Sequence, residues 1–194
     1  MQVADEPKKE IPVPMSQDEE LLEEFEEYGR SAHGAKSVIL MGYIAQRLHE
    51  AKTRYNWVGF YLMEVPAFDA LVLGPYVGSF KPTLRIPLDK GLCGAAATSG
   101  ETVTVNNVSA DPRYLGSDLV KSNIVVPIFV NKGATKRGAA NKGTAKKQVV
   151  AELCIESYFA DTFHRPEQTF IESCAALVGR HMEQEATDAA GNAE

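Results

Sequence analysis

Three cysteines are the residues of this chain with the most specific chemistry: Cys93, Cys154 and Cys174. Their number is odd, and their spacing is too wide for a zinc knuckle or a disulfide framework, so we expect free thiols. Cys93 stands between glycines at the predicted start of a short helix, where the helix dipole lowers the pKa of a thiol and favours nucleophilic chemistry. A small buried apolar residue is the alternative interpretation.

A second group of reactive side chains falls on one predicted strand near the carboxy terminus. Cys154 alternates there with apolar neighbours, so it either faces a pocket or packs in the core of the strand. Glu152 and Glu156 share its face, and like charges that close together raise the pKa of one carboxyl in a pocket. The alternative is that one of them lies at the rim, in water. Cys174, on the last predicted helix, is expected to serve packing alone.

The histidines give no sign of a metal site. None has a carboxylate or a cysteine at the spacing of a metal ligand, and we expect each to lie on the surface or to cap a helix: His33, His49, His164 and His181. The sequence therefore predicts neither a metal nor another cofactor.

Length and composition favour one globular domain. The chain has 194 residues, 44% of them hydrophobic, and a net charge of −6. Its longest apolar run, residues 38–44, is broken by Gly42 and is far shorter than the roughly 18–20 residues that cross a bilayer. The first residues are charged and do not resemble a secretory leader. We therefore expect a cytoplasmic protein that does not span a membrane.

Charge is distributed unevenly along the chain. Residues 1–27 hold ten acidic residues and two lysines, and the Pro-rich segment 1–15 has too few apolar groups to repay its ordering, which predicts a flexible arm. Residues 131–147 hold six basic residues and no acidic one, which predicts a mobile basic extension of a hairpin. Such an extension would meet an acidic partner or the acidic first helix of another subunit; without aromatic residues it does not favour nucleic acid. Residues 183–194 are expected to form a flexible tail.

The pattern of apolar residues predicts the elements that carry these groups. Ser16 and Glu19 form a capping box before a first amphipathic helix, and Pro166 is expected at the first position of the last one. The remaining predicted elements are a helix at 35–53, strands at 56–62, 71–73, 83–86, 102–105, 124–130 and 149–155, and a short helix at 90–97. This order favours an α+β fold with a central antiparallel β-sheet, the terminal helices on one face and a ligand pocket on the other.

Four motifs identify a family that the chain resembles. They are Asn-Trp-Val-Gly-Phe-Tyr at 56–61, Leu-Gly-Pro at 73–75, Gly-Leu-Cys-Gly-Ala-Ala at 91–96 and Ile-Val-Val-Pro at 124–127. In order and spacing they resemble the free methionine-R-sulfoxide reductases, over residues 21–178. These enzymes are single GAF domains, so the resemblance implies a GAF fold over residues 16–182 and a homodimer through the outer helices.

The resemblance also implies a reaction, for which this chain keeps few of the cysteines. In the family a thiolate attacks the sulfoxide sulfur, and a second cysteine closes a disulfide that thioredoxin reopens. Of three family cysteine positions only Cys93 is retained. The first aligns with Thr83, and the third falls at Gly116, with Ser117 beside it.

The carboxylates that hold the substrate's ammonium group in the family are also mostly replaced. Their positions read Asn123, Cys154 and Glu156 here, so one anion of three remains. A zwitterionic amino acid would lose most of its charge pairing. Trp57, which resembles a pocket-wall aromatic of the family, is retained.

We therefore predict a non-catalytic GAF module that senses or holds a small molecule without turning it over. The residues predicted to bind the ligand are Trp57, Tyr61, Cys93, Tyr114, Gly116, Ser117, Asn123, Cys154 and Glu156. One alternative is a free methionine-R-sulfoxide reductase in which Cys93 is the catalytic thiol and an external thiol, such as that of thioredoxin, resolves the sulfenic acid. Another is an interaction domain with a vestigial pocket.

Overall fold

The computed structural model describes residues 14–31, 36–131 and 147–191. Its helices, which we number in chain order, are α1 (Gln17–Ser31), α2 (Ser37–Ala51), α3 (Gly91–Ser99) and α4 (Arg165–Gly191). Its strands are β1 (Trp57–Met63), β2 (Ala70–Gly78), β3 (Arg85–Pro87), β4 (Val103–Val105), β5 (Ser122–Asn131) and β6 (Lys147–Ser157).

The strands form one antiparallel sheet. Its order is β3-β2-β1-β6-β5-β4, and every neighbouring pair runs antiparallel. In the centre of the sheet, Cys154 of β6 pairs with Gly59 of β1 on one side and with Val125 of β5 on the other. The predicted α+β architecture with a central antiparallel sheet is confirmed.

Strict alternation divides the central strands between two faces. Val58 and Phe60 of β1 join Leu153 of β6 in a core that is closed by α1, α2 and α4. Trp57 and Cys154 point to the opposite face, where they share a second cluster with residues of α3. Because successive side chains of a strand alternate between faces, the terminal helices lie on one face and the other is left for a cavity, as the sequence predicts.

The ends of most elements differ from prediction by one or two residues, and β2 runs to Gly78 where the sequence predicts a strand at 71–73. β3 begins at Arg85 and includes Pro87, whereas the sequence predicts a strand at 83–86 that Pro87 ends. Pro87 is tolerated there because β3 is an edge strand, in which a missing N–H need not break a ladder. α4 begins at Arg165, so Pro166 is its second residue and still lies in the first turn, where no N–H is required. The predicted capping box is present, with Ser16 and Glu19 bonded to each other's backbone N–H.

The last helix is longer than the sequence predicts. α4 continues to Gly191, so residues 183–191 are helical where the sequence predicts a flexible tail. Two carboxylates of this extension accept hydrogen bonds from other elements: Glu183 from the backbone N–H of Asn131, at 2.5 Å, and Glu185 from the N–H and hydroxyl of Ser37. These bonds tie the extension to the end of β5 and to the start of α2.

Most of two predicted segments lies outside the residues that the structure describes. Residues 1–13 of the predicted arm and residues 132–146 of the predicted basic extension are not among the described residues. Within the described ranges, the structure has no helix whose length and apolar character would let it cross a bilayer.

Candidate functional site

A cavity of about 500 Å³ opens on the sheet face opposite the terminal helices. Strands β1, β5 and β6, helix α3 and the segment that precedes β5 line it. All nine residues predicted to bind a ligand lie on its wall: Trp57, Tyr61, Cys93, Tyr114, Gly116, Ser117, Asn123, Cys154 and Glu156. The structure thus brings them together, and their role in binding stays a prediction. The volume is within the range of small-molecule sites.

Trp57 forms the aromatic wall of this cavity. Its ring is stacked near those of Tyr61, Tyr76 and Phe80, with centroids 5.8–6.2 Å apart. Gly59, two residues along the same face of β1, leaves the space that the indole fills. A Cβ at Gly59 would lie 2.4 Å from a ring carbon of Trp57, so the wall depends on the absence of a side chain there.

We therefore expect Gly59→Ala to displace the Trp57 ring and to lower the free energy of unfolding by about 1–3 kcal/mol, the usual cost of overpacking. Chemical denaturation measures the loss, and the emission of Trp57, the single tryptophan, reports the displacement. Gly42→Ala is the matched control. Its Cβ would meet its nearest neighbour, Pro75, at 3.8 Å, and inside α2 the change should stabilise the helix by up to about 1 kcal/mol. Equal effects of the two substitutions would contradict the close packing at Gly59.

Polar side chains converge on the carboxyl of Glu156, the cross-strand neighbour of Trp57 on β6. The Asn123 amide donates to Glu156 Oε1 at 3.2 Å and also contacts the sulfur of Cys154 at 3.5 Å. The Tyr114 hydroxyl donates to the same Oε1 at 3.2 Å. Burial raises the pKa of Glu156 to about 7, against the two hydrogen bonds, which lower it. We therefore expect this carboxyl to titrate near neutral pH.

Two buried polar atoms of the cavity wall lack partners. Among the described residues, neither Asn123 Oδ1 nor Trp57 Nε1 has a hydrogen-bond partner. One is an acceptor and the other a donor. Because leaving such a group unpaired costs about 1–3 kcal/mol, a bound molecule that paired with them would recover that cost.

Tyr114 fills the space beside Gly116, the position that the family resemblance aligns with a cysteine. A Cβ at Gly116 would lie 2.1 Å from the Tyr114 hydroxyl oxygen. The Ser117 carbonyl oxygen, at 3.4 Å, is a second acceptor within reach of the same hydroxyl. A cysteine at this position would need the tyrosine to move. The side chain that fills this corner is thus a hydrogen-bond donor to Glu156, and no thiol lies there.

The thiols of Cys93 and Cys154 are neighbours in one apolar cluster on the cavity wall. Both are free, as predicted. The expectation that the helix dipole lowers the pKa of Cys93 is wrong: contact with the Cys154 thiol, and then burial, raise this pKa well above its usual value. Cys174 is fully buried among the helices, as expected for a packing residue.

Glu152 lies behind the two thiols, with no exposed surface. The Cys93 thiol and the Ala97 backbone N–H are close by, but neither carboxyl oxygen has a hydrogen-bond partner among the residues described. Burial raises its pKa well above the usual value. Burial, and not the predicted repulsion between Glu152 and Glu156, is the main cause at both carboxyls. No group of three metal-ligating side chains is found within the described ranges.

Sequence reasoning missed the segment between β2 and α3, which contributes a large part of the wall. Phe80 stacks on Trp57, and three cations line the same side: Lys81, Arg85 and Lys90. Arg85 is engaged by Glu64 at 2.7 Å and by Asp69 at 3.1 Å. Gly78 ends β2, and Phe80 follows it at the spacing of two that places side chains on one face of a strand. This spacing is the signal that could have identified Phe80.

Comparison with known proteins finds two curated relatives of the same name. Free methionine-R-sulfoxide reductase of Saccharomyces cerevisiae is 31% identical over 126 residues, which cover 64% of this chain and 62% of that protein. Free methionine-R-sulfoxide reductase of Escherichia coli is 37% identical over 111 residues, which cover 57% of this chain and 56% of that protein. The chain therefore spans less than two thirds of the length of either relative.

A solved structure of a protein with the same name is also similar to this chain. The X-ray structure of free methionine-R-sulfoxide reductase from Neisseria meningitidis in complex with its substrate superposes with a TM-score of 0.72 at 28% identity, over 89% of this chain and 91% of that one. The sequence profile of the GAF domain matches residues 42–182. With its six-stranded antiparallel sheet and flanking helices, the chain belongs to the GAF domain family.

Proposed function

We propose that this chain is a small-molecule-binding GAF module whose cavity takes a ligand with a protonated amine and an apolar arm. The ligand is held and not consumed. The amine would lie against Glu156 and Asn123, and the apolar arm would lie against the ring of Trp57.

The observation that carries the proposal is the unpaired Asn123 Oδ1 on the wall of the cavity. It lies on the side chain whose amide already donates to Glu156, so a buried acceptor and a carboxylate lie side by side. An ammonium group has three donors and no acceptor, and it satisfies both. Charge-assisted hydrogen bonds of this kind are about twice as strong as neutral ones.

The same arrangement argues against turnover. Tyr114 fills the space that a cysteine at Gly116 would need, and the pKa of Cys93 is raised, which leaves little thiolate at neutral pH. Attack by Cys93 would therefore first require a base to remove the proton of this thiol. Binding requires neither a thiol at Gly116 nor a thiolate at Cys93.

Equilibrium titration with amino-acid probes tests the proposal. We expect L-methionine and L-leucine to bind and to change the emission of Trp57. The deaminated analogue of L-methionine, γ-methylthiobutyrate, should bind roughly tenfold or more weakly, because it cannot make the charge-assisted bonds. Equal affinity for the deaminated analogue, or no saturable binding of either amino acid, would contradict the proposal.

A working reductase is the second candidate. It is favoured by the position of Cys93 on the cavity wall and by the names of the two curated relatives. In this case the Cys93 thiolate would reduce free methionine-R-sulfoxide, and an external thiol would resolve the sulfenic acid. Turnover with thioredoxin or dithiothreitol that Cys93→Ser abolishes and Cys174→Ser preserves would establish it. Folded protein without turnover would leave the binding module.

The assembly and signalling role of the module remain predictions. A homodimer through the outer helices would bring Val38 and Ile39, which are exposed on α2, towards a second copy. A sensory role would follow if ligand binding changed how those helices pair.

A further inference from the structure

The neighbouring thiols of Cys93 and Cys154 have no part in the binding of an amine. Cys93 is the third residue of α3, and Cys154 lies in the second half of β6, a central strand of the sheet. Both line the cavity and belong to the same apolar cluster. Cys93 is 8% exposed and Cys154 3%, so Cys93 is the more exposed residue of the pair.

We propose that Cys93 and Cys154 form a dithiol–disulfide centre on the cavity wall, which a small hydroperoxide oxidises. The Cys93 sulfur attacks the peroxide oxygen, the O–O bond breaks, and an alcohol, or water from hydrogen peroxide, leaves as Cys93 becomes a sulfenic acid. The Cys154 sulfur then attacks the Cys93 sulfur, and the S–O bond breaks with release of water. Two thiols lose two electrons, the peroxide gains them, and an added dithiol reverses the change.

Glu152 is placed to move the protons of these steps. Its carboxyl lies beside the Cys93 thiol and has no partner of its own among the described residues. When ionised it takes the proton of the attacking thiol, and it then returns that proton to the departing oxygen. Such a role gives a reason for a completely buried carboxyl that no hydrogen bond stabilises.

The proposal is independent of the ligand. The disulfide is tested on protein without ligand, and the amine titration is made on reduced protein. Failure of one experiment therefore leaves the other unaffected.

Oxidation of the reduced protein by hydrogen peroxide is the test. After alkylation of free thiols, the non-reduced peptide map should contain one linked pair of peptides, which carry Cys93 and Cys154. Cys174 should be alkylated only after denaturation, since it is fully buried. The emission of Trp57, in the same cluster as both thiols, should fall as the disulfide forms and recover with dithiothreitol.

Variants with one cysteine replaced separate this outcome from general oxidation. Cys93→Ser and Cys154→Ser should lose the reversible change in emission, and Cys174→Ser should keep it. The proposal is overturned if Cys93 of the wild-type protein goes to sulfinic acid while Cys154 stays alkylatable, or if the disulfides join different chains. The wild-type peptide map needs no variant, so the test holds even if a serine is poorly tolerated.

The role of Glu152 has its own test, the pH profile of disulfide formation. Glu152→Gln should slow the reaction roughly tenfold or more and remove the rise in rate that accompanies ionisation of this carboxyl. The other titratable groups that face the thiols are Tyr61, Tyr114 and Glu156, and the cations that line the cavity are Lys81, Arg85 and Lys90. All remain in the variant, so an unchanged profile would exclude Glu152 as the proton acceptor.

Discussion

Glu156→Gln is expected to weaken the binding of L-methionine at about pH 8 by 2 kcal/mol or more, which is roughly thirtyfold. The substitution keeps the shape of the side chain and its hydrogen bonds, but it leaves the ammonium of the ligand without its counter-charge in a buried site. Calorimetric titration of both proteins measures the difference. Glu101→Gln, the same chemical change at an exposed position, is the matched control and should bind as the wild type does.

The affinity for L-methionine is also expected to depend on pH through the ionisation of Glu156. Burial raises the pKa of Glu156 to about 7 in the free protein, and an ammonium partner lowers it in the complex. At a pH between these two pKa values the complex binds fewer protons than the free protein. The affinity for L-methionine therefore falls about tenfold for each pH unit below 7, down to the pKa of the complex. Glu156→Gln should abolish this slope. A variant that kept both the affinity and the slope would show that the ligand amine lies elsewhere.

Glu152→Met is expected to stabilise the protein by about 1–3 kcal/mol at neutral pH, because it replaces an unpaired buried carboxyl with an apolar side chain of similar length. Burial raises the pKa of Glu152, so the folded state retains a proton that the unfolded state loses. The wild-type protein therefore has this part of its stability at acidic pH and loses it as the pH rises above the usual range of a glutamate.

Denaturation at several pH values checks this prediction. The advantage of Glu152→Met over the wild type should grow from acidic to neutral pH. Glu152→Gln, which removes the charge and keeps the polarity, should flatten the pH dependence with a smaller gain at neutral pH. A Met variant less stable than the wild type would mean that the carboxyl has a stabilising partner in the folded state.

Alternation along the strands is the part of the site that could be predicted from the sequence. The period of two places Trp57, Cys154 and Glu156 on one face and their neighbours on the other, and the structure has them there. The same rule could not predict the contact of Cys93 with Cys154, because it depends on how closely α3 packs on the sheet. It could not predict the pKa of Cys93 for the same reason, since contact and burial outweigh the helix dipole.

The end of α4 also could not be predicted from the sequence, because it depends on hydrogen-bond partners that are distant in the chain. Residues 183–191 are polar and small, and their helix is tied to other elements by Glu183 and Glu185, whose partners are 52 and 148 residues away. Local composition carries no information on such bonds. The burial of Glu152 is a similar case, because a glutamate on a strand is ordinarily read as a rim residue.

The extension of α4 has a consequence for local opening of the domain. It accepts the backbone N–H of Ser37 at one place and that of Asn131 at another. Fraying of its last turns would uncover both amides together, although one begins α2 and the other ends β5. The start of α2, the end of β5 and the last turns of α4 therefore form a single cooperative unit, in which hydrogen exchange at either amide is governed by the same opening of one helix end.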